Sequence, residues 1–207
     1  HRYGSSRVVT IFNGIDPQAV RDRADAAENP FTEDENRFRV ALVGRMVPVK
    51  RVDLFLQTAA LAEQQGEKGF AFYVIGDGPQ LAAMKQMAEQ LKLHSVQFLG
   101  YRDNTPAYLQ RIDALCVTSD HEGLPMVVLE AFSLGLPVVA RTVGGLADLL
   151  DHGHAGLLVK SADPAEFIVN LKRLADNDSL SNAIAVRARN LLMQQYSQTV
   201  MARRYVE

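Results

Sequence analysis

Cysteine is almost missing from this chain of 207 residues: the one present, Cys116, sits in the apolar run DALCV. A single thiol excludes an internal disulfide, suits a reducing compartment and reads as a small buried core residue. A run of about 18 or more apolar residues is also missing, as is a signal-peptide pattern, so nothing in the sequence reads as a membrane span. Nor is there an excess of either charge. The 22 Lys and Arg against 24 Asp and Glu leave a formal net charge of −2, and the basic residues are scattered. Nucleic acid or an anionic membrane is therefore not expected as principal partner, while a local phosphate site stays open. No internal repeat or low-complexity tract is present. What the chain has is apolar material, 47% of its residues, enough for a sizeable core in one large domain or two small ones.

Short β-rich runs at 37–44, 70–76, 95–100, 113–119, 136–140 and 155–159 alternate with helical patterns at 50–65, 79–92, 104–111, 125–134, 144–151, 164–176 and 179–196. This alternation predicts right-handed βαβ units and an α/β fold, a doubly wound, Rossmann-like parallel sheet with helices on both faces. RVVTIFNG (7–14) reads as a further short strand at the entry, and the polar stretch 17–36 receives no assignment. The chain opens without Met and ends in a helical-looking segment without a stop signal, which creates the expectation of a piece of something longer.

In such folds ligands bind beyond the carboxyl ends of the strands. After the first strand comes GRMVPVK (44–50), in which Arg45 can grip phosphate oxygens as a fork and Lys50 as a point charge, next to a helix start. After the second comes GDGP (76–79), with Gly76 and Gly78. It lacks the third glycine of the dinucleotide fingerprint, Leu81 standing there, and no acidic residue ends the next strand, so a dehydrogenase reading fails. A plain turn and a ligand loop remain equal readings of it. After the fourth strand comes SDHEGLP (119–125), whose Glu122 lies on the loop and whose N–H groups from Gly123 to Val127 suit an anion. After the fifth comes TVGGLAD (142–148), a glycine pair that would let a phosphate approach.

Within MVVLEAFSL (126–134), expected to start at Pro125 and stop at Gly135, Glu130 interrupts a helix that is apolar nearly all round. A buried carboxylate needs partners. Carboxylates serve paired hydroxyls better than phosphate, so Glu130 reads as an acceptor for vicinal hydroxyls of a ligand. A neighbouring backbone group or Arg is the other reading.

These stretches resemble, in order and over nearly the whole chain, the C-terminal, donor-binding half of retaining family-4 (group 1) glycosyltransferases of GT-B architecture: FNGID (12–16), GRMVPVK, VIGDGP (74–79), VQFLG (96–100), SDHEGLPMVVLEAFSLGLPVVA (119–140), VGGLADLL (143–150) and AGLLV (155–159). The two glutamates, Glu122 and Glu130, are the most specific part. The resemblance implies that residues 1–207 form one nucleotide-sugar-binding domain, in which Arg45 and Lys50 hold the donor diphosphate, Glu130 the ribose and Glu122 the transferred sugar. It further implies that the backbone of Gly123, Leu124, Pro125, Met126 and Val127 supports sugar and phosphate, and that the main chain of Leu99, Tyr101 and Arg102 meets the base. The implied reaction is sugar transfer from a nucleoside-diphosphate (NDP) sugar, with retention, to a carbohydrate, lipid or other acceptor held by an N-terminal domain that this chain lacks. By itself the chain is expected to bind a nucleoside diphosphate weakly and transfer no sugar. No metal or other cofactor is expected, because Arg45, Lys50 and helix N–H groups suit the growing charge on the departing diphosphate. A cytoplasmic location is implied, with peripheral membrane contact open to the full enzyme. A GT-B epimerase, a phosphorylase and a non-catalytic nucleotide-binding module are the alternatives.

Two positions depart from the family. Asp148 stands where Glu is common, and Arg51, where glycine is frequent, reads as an exposed side chain in preference to an extra cation near the phosphates. Asp176-Asn177-Asp178 reads as a turn and helix cap, His152-Gly153-His154 as a loop, and His121 as a lesser candidate for touching the donor sugar.

Overall fold

The computed structural model describes residues 13–26, 31, 37–67 and 69–206. The entry strand expected at 7–14 falls almost entirely outside them. Six strands, β1 (Phe38–Val43), β2 (Phe70–Ile75), β3 (Val96–Gly100), β4 (Ala114–Val117), β5 (Val138–Arg141) and β6 (Leu157–Val159), form one sheet in the order β3-β2-β1-β4-β5-β6. Every neighbouring pair is parallel, as the alternation of strands and helices requires.

The two-residue period of a strand sorts the side chains between two cores. Ala41, Tyr73, Ile75, Leu115, Val138 and Ala140 face one way, toward α4 (Thr105–Leu109), α5 (Met126–Leu134), α6 (Leu146–Leu149) and α8 (Asp178–Leu191). Val40, Leu42, Phe72, Val74, Cys116 and Val139 face the other, toward α2 (Val52–Gln64), α3 (Leu81–Gln90) and α7 (Pro164–Ala175). Cys116 is the buried core residue expected, and burial pushes its thiol far above the ordinary range.

Part of the polar stretch left unassigned is a helix, α1 (Pro17–Asp25). Asp16 caps it, accepting from the N–H groups of Gln18 and Ala19, and Pro17 opens it. Only Val20 and Ala24, one turn apart, are buried, a stripe too thin to register as a helical period. The helix expected over 144–151 is shorter, since α6 gives way to a tight turn at Asp151–Gly153 with His152 at φ 52°. The helix expected over 179–196 ends its regular part at Leu191 and continues as a wider π turn, Leu192–Tyr196, before α9 (Gln198–Val206). Asn177 caps α8, accepting from the Leu180 N–H at 2.9 Å, which is the cap expected of the Asp-Asn-Asp stretch. Pro125 is the extended residue before α5 and not its first helical one, while Gly135, at φ 71°, ends that helix as expected.

Candidate functional site

The strand order reverses between β1 and β4, and the loops that follow these two strands carry the charged residues. After β1 the chain turns through Gly44–Val47 into a short 3₁₀ turn, Pro48–Lys50. After β4 it runs through Ser119–Leu124 to α5. The two loops are tied by main chain and side chain: the Asp120 N–H donates to the Val49 carbonyl at 2.8 Å, and the Thr118 hydroxyl donates to the Lys50 carbonyl at 2.8 Å.

This brings Lys50 and Glu122 together. Lys50 Nζ donates to Glu122 Oε1 at 2.6 Å, and the Ser119 hydroxyl donates to the same oxygen at 2.6 Å. The Glu122 side chain is 10% exposed and that of Lys50 25%, so the carboxylate is nearly desolvated and held by two donors. Gly144 and Gly145 back this loop. A Cβ on Gly144 would stand 1.9 Å from the Glu122 carbonyl oxygen, and one on Gly145 2.9 Å from that of Gly123. The close approach expected of a phosphate at this glycine pair is therefore made by the chain itself.

Arg45 is exposed and, among the described residues, engages no carboxylate. It lines a cavity of about 420 Å³ together with Gly76, Tyr101, Arg102 and Thr105. The glycines of GDGP are required by the neighbouring loop: a Cβ on Gly76 would lie 1.9 Å from the Gly44 carbonyl oxygen and one on Gly78 2.7 Å from that of Met46. The Met46 N–H donates to the Asp77 carbonyl at 2.8 Å, and the Gly76 N–H to the Gly100 carbonyl at 2.8 Å. This turn is thus a packed crossing of two loops, with Gly76 forming part of the cavity wall. Tyr101 is 69% exposed, and the Arg102 guanidinium lies 5.6 Å over the Tyr108 ring. The Leu99 side chain packs into the core, which leaves only its main chain available.

Among the described residues the N–H groups of Gly123, Leu124, Met126 and Val127 donate to no protein acceptor, whereas that of Val128 is used by the Pro125 carbonyl at 3.0 Å. They form the free amide array of a helix start, where an anion is stabilised. Leu124 and Val127 pack partly on the core, Pro125 is buried and Met126 is 40% exposed.

Glu130 is half-buried, so α5 is not enclosed all round as the sequence suggested. It makes no hydrogen bond or ion pair among the described residues. Burial, opposed by the nearby charge of Arg23, pushes its carboxyl above the ordinary glutamate range. Arg23, on α1, donates to the Asp103 carbonyl at 2.9 Å and its own carbonyl accepts from Asn104. A residue outside every sequence expectation therefore carries its charge near Glu130 while bonding to the loop bordering the Tyr101–Arg102 cavity.

Ser119, Arg23, Asp120 and Arg141 were missed by sequence reasoning. Ser119 and Asp120 lie inside a quoted loop and Arg141 at the carboxyl end of a strand, so position alone would have nominated them. Arg51 is not the exposed side chain expected but a half-buried, ion-paired one: its guanidinium grips Asp53 through Nε and Nη2, at 2.9 to 3.1 Å, and reaches Asp120 at 3.2 Å. His121 is exposed. His152 lies in the tight turn, its Nε2 3.7 Å from Asp148 on an exposed surface.

A family model described as glycosyl transferases group 1 matches residues 37–177. Similar curated proteins include N-acetyl-alpha-D-glucosaminyl L-malate synthase of Bacillus anthracis, 25% identical over 96% of this chain and 52% of its own length. Another is UDP-Gal:alpha-D-GlcNAc-diphosphoundecaprenol alpha-1,3-galactosyltransferase of Escherichia coli, 28% identical over 92% of this chain and 51% of its own. The chain spans about half the length of these two relatives. Among solved structures, Anabaena Alr3699/HepE in complex with UDP superposes with a TM-score of 0.83 at 23% identity, covering 95% of this chain and 55% of that one. The C-terminal domain of the glycosyl transferase group 1 family protein LpcC from Francisella tularensis gives a TM-score of 0.72 at 20% identity, covering 89% of this chain and all of that one. At these identities the superpositions establish the shared fold.

Proposed function

Because the chain belongs to the glycosyl transferases group 1 family, we propose that it is the donor-binding half of a glycosyltransferase: it holds an NDP-sugar whose sugar passes, with retention, to a carbohydrate, lipid or other acceptor bound by a further N-terminal domain. The observation that carries this reading is the 2.6 Å Lys50–Glu122 pair at the point where the strand order reverses, beside the free amide array at the start of α5. A cation, a desolvated carboxylate and unpaired N–H donors at one edge offer complementary partners to a sugar diphosphate. Phosphate oxygens take the cations and amides, and sugar hydroxyls take the carboxylate.

Arg45, on the exposed side of the same loop, extends the positive edge to the cavity walled by Gly76, Tyr101 and Arg102, where a base fits near main-chain groups. Glu130 then meets the ribose as a charged acceptor with no hydrogen-bond partner among the described residues to give up. As the glycosidic bond breaks, negative charge grows on the diphosphate, and Arg45, Lys50 and the α5 amides stabilise it where it forms, so the reading needs no metal. No helix among the described residues is long and apolar enough to cross a membrane. A cytoplasmic location, with peripheral membrane contact reserved for the longer protein, belongs to the same proposal.

Thermal shift of the purified chain against UDP, GDP, ADP and their sugar conjugates tests it. A nucleoside diphosphate should raise the unfolding midpoint more than its nucleoside does. No shift with any of them would overturn the reading.

A further inference from the structure

The chain places an arginine where its backbone resists one. Arg51 has φ 49° and ψ 48°, the left-handed region in which side chains are disfavoured relative to glycine. Such strain persists where surrounding contacts over-determine it. The contacts here are ionic: Arg51 clasps Asp53 and reaches Asp120 Oδ1 through Nη1. The same Asp120 oxygen accepts from Arg141 Nη1, which also donates to the Ser119 carbonyl at 3.4 Å. Arg141 in addition buries its Nε without a hydrogen-bond partner among the described residues, a desolvation cost that general stability does not explain. The three residues come from the turn after β1, the loop after β4 and the end of β5. Lys50 is the residue immediately before Arg51, and Glu122 lies two residues after Asp120.

We propose that Asp120, bridging Arg51 and Arg141, is a positioning residue that holds Lys50 and Glu122 in register for the diphosphate and sugar of the donor, an inference that rests on the donor-site reading above. Arg51 and Arg141 share one carboxylate, and Arg51 holds a second, so their charges serve the scaffold and leave phosphate to Arg45 and Lys50. Loosening the bridge leaves the 48–51 turn and the 119–122 loop tied by the Asp120 N–H, the Thr118 hydroxyl and the Lys50–Glu122 pair alone. Lys50 and Glu122 then sample separations at which one ligand cannot engage both.

The test is a double-mutant cycle on the full chain, with UDP and uridine as calorimetric probes. Asp120→Ala should lower UDP affinity by about tenfold and leave uridine within about twofold, and in the Lys50→Ala background it should add less than about twofold, because the bridge acts through Lys50. Asp120→Glu should recover part of the loss. Asp120→Asn, which preserves side-chain shape, serves the same comparison where alanine prevents folding. A second readout needs no nucleotide: acetylation of Lys50 by acetic anhydride, followed by mass spectrometry, should proceed several-fold faster in Asp120→Ala. Additive losses in the cycle, equal losses for UDP and uridine, or unchanged Lys50 acetylation would each overturn the proposal. Failure of the unsubstituted chain to bind UDP, GDP or ADP would overturn the donor-site reading and the ligand half of this inference, with acetylation still reporting whether the bridge holds Lys50.

Discussion

Lys50 and Glu122, 72 positions apart in the chain, meet at 2.6 Å across the junction of β1 and β4. Arg45, only five residues before Lys50, stays in solvent. Two cations expected to share one ligand thus start from different states, and their substitution should separate folding from binding. Arg45→Ala is expected to leave the urea midpoint within about 0.5 kcal/mol of the parent. Lys50→Ala should cost about 1–2 kcal/mol, because it leaves the Glu122 carboxylate desolvated with Ser119 as its remaining donor. Both should weaken UDP binding by about 1.5–3 kcal/mol and spare uridine. Equal losses for nucleotide and nucleoside in titration calorimetry would remove the phosphate assignment.

Two glycines on facing loops should behave oppositely. At Gly144, with φ +53° and the Glu122 carbonyl in the path of a Cβ, alanine is expected to cost about 2 kcal/mol or more by urea unfolding. Gly123 has open space around its Cβ direction, so alanine there should be nearly neutral for stability and show its effect in UDP affinity. A stable Gly144→Ala protein would mean that the loop has room to shift.

Glu130 makes a pH-dependent statement. Its carboxyl is pushed up in the folded chain by burial, against the opposing charge of Arg23, so the folded state binds the proton more tightly than the unfolded state does. Stability from this group is present in acid and lost as pH rises through the raised folded value, which makes the ionised side chain a net cost at neutral pH. Glu130→Gln should therefore stabilise the chain slightly at pH 7, by less than about 1 kcal/mol, and the difference from the parent should vanish near pH 4. UDP affinity should fall in the same variant. A large drop in the pH 7 midpoint with affinity retained would reassign Glu130 to a structural role.

Chelation should matter little. On the proposal that Arg45, Lys50 and the N–H groups of Gly123, Leu124, Met126 and Val127 meet the diphosphate charge, UDP affinity measured in EDTA is expected to stay within about twofold of that in magnesium. A tenfold dependence would bring a divalent ion into the site.

Most of the scaffold was legible because its elements carry local signals. The β2 run is buried throughout, as a central parallel strand must be, and Asp163-Pro164 announces α7 by its cap. Helix α1 was not, since its capping pair Asp16-Pro17 was followed by only two buried side chains. In the site, the positions of Arg45, Lys50, Glu122 and the α5 amides followed from strand ends. Their pairing did not. That Lys50 is occupied by Glu122, that Arg51 reaches Asp120, and that Arg23 stands near Glu130 are tertiary facts, set by how segments distant in sequence pack. Glycines misled in one respect: at Gly76, Gly78 and Gly144 the small residue makes room for the protein's own carbonyls.

The strand order has a consequence for how the chain folds. β1, β2 and β3 occupy one side of the β1–β4 junction and β4, β5 and β6 the other, so each flank is a continuous stretch of sequence able to collapse from neighbouring segments. Lys50 belongs to the first flank and Glu122 to the second. Their contact has high sequence separation and forms when the flanks dock, among the slower events of a parallel sheet. During refolding, nucleotide binding should therefore appear with the final docking phase, after most helical signal has returned, which makes the ligand a kinetic reporter of the completed junction.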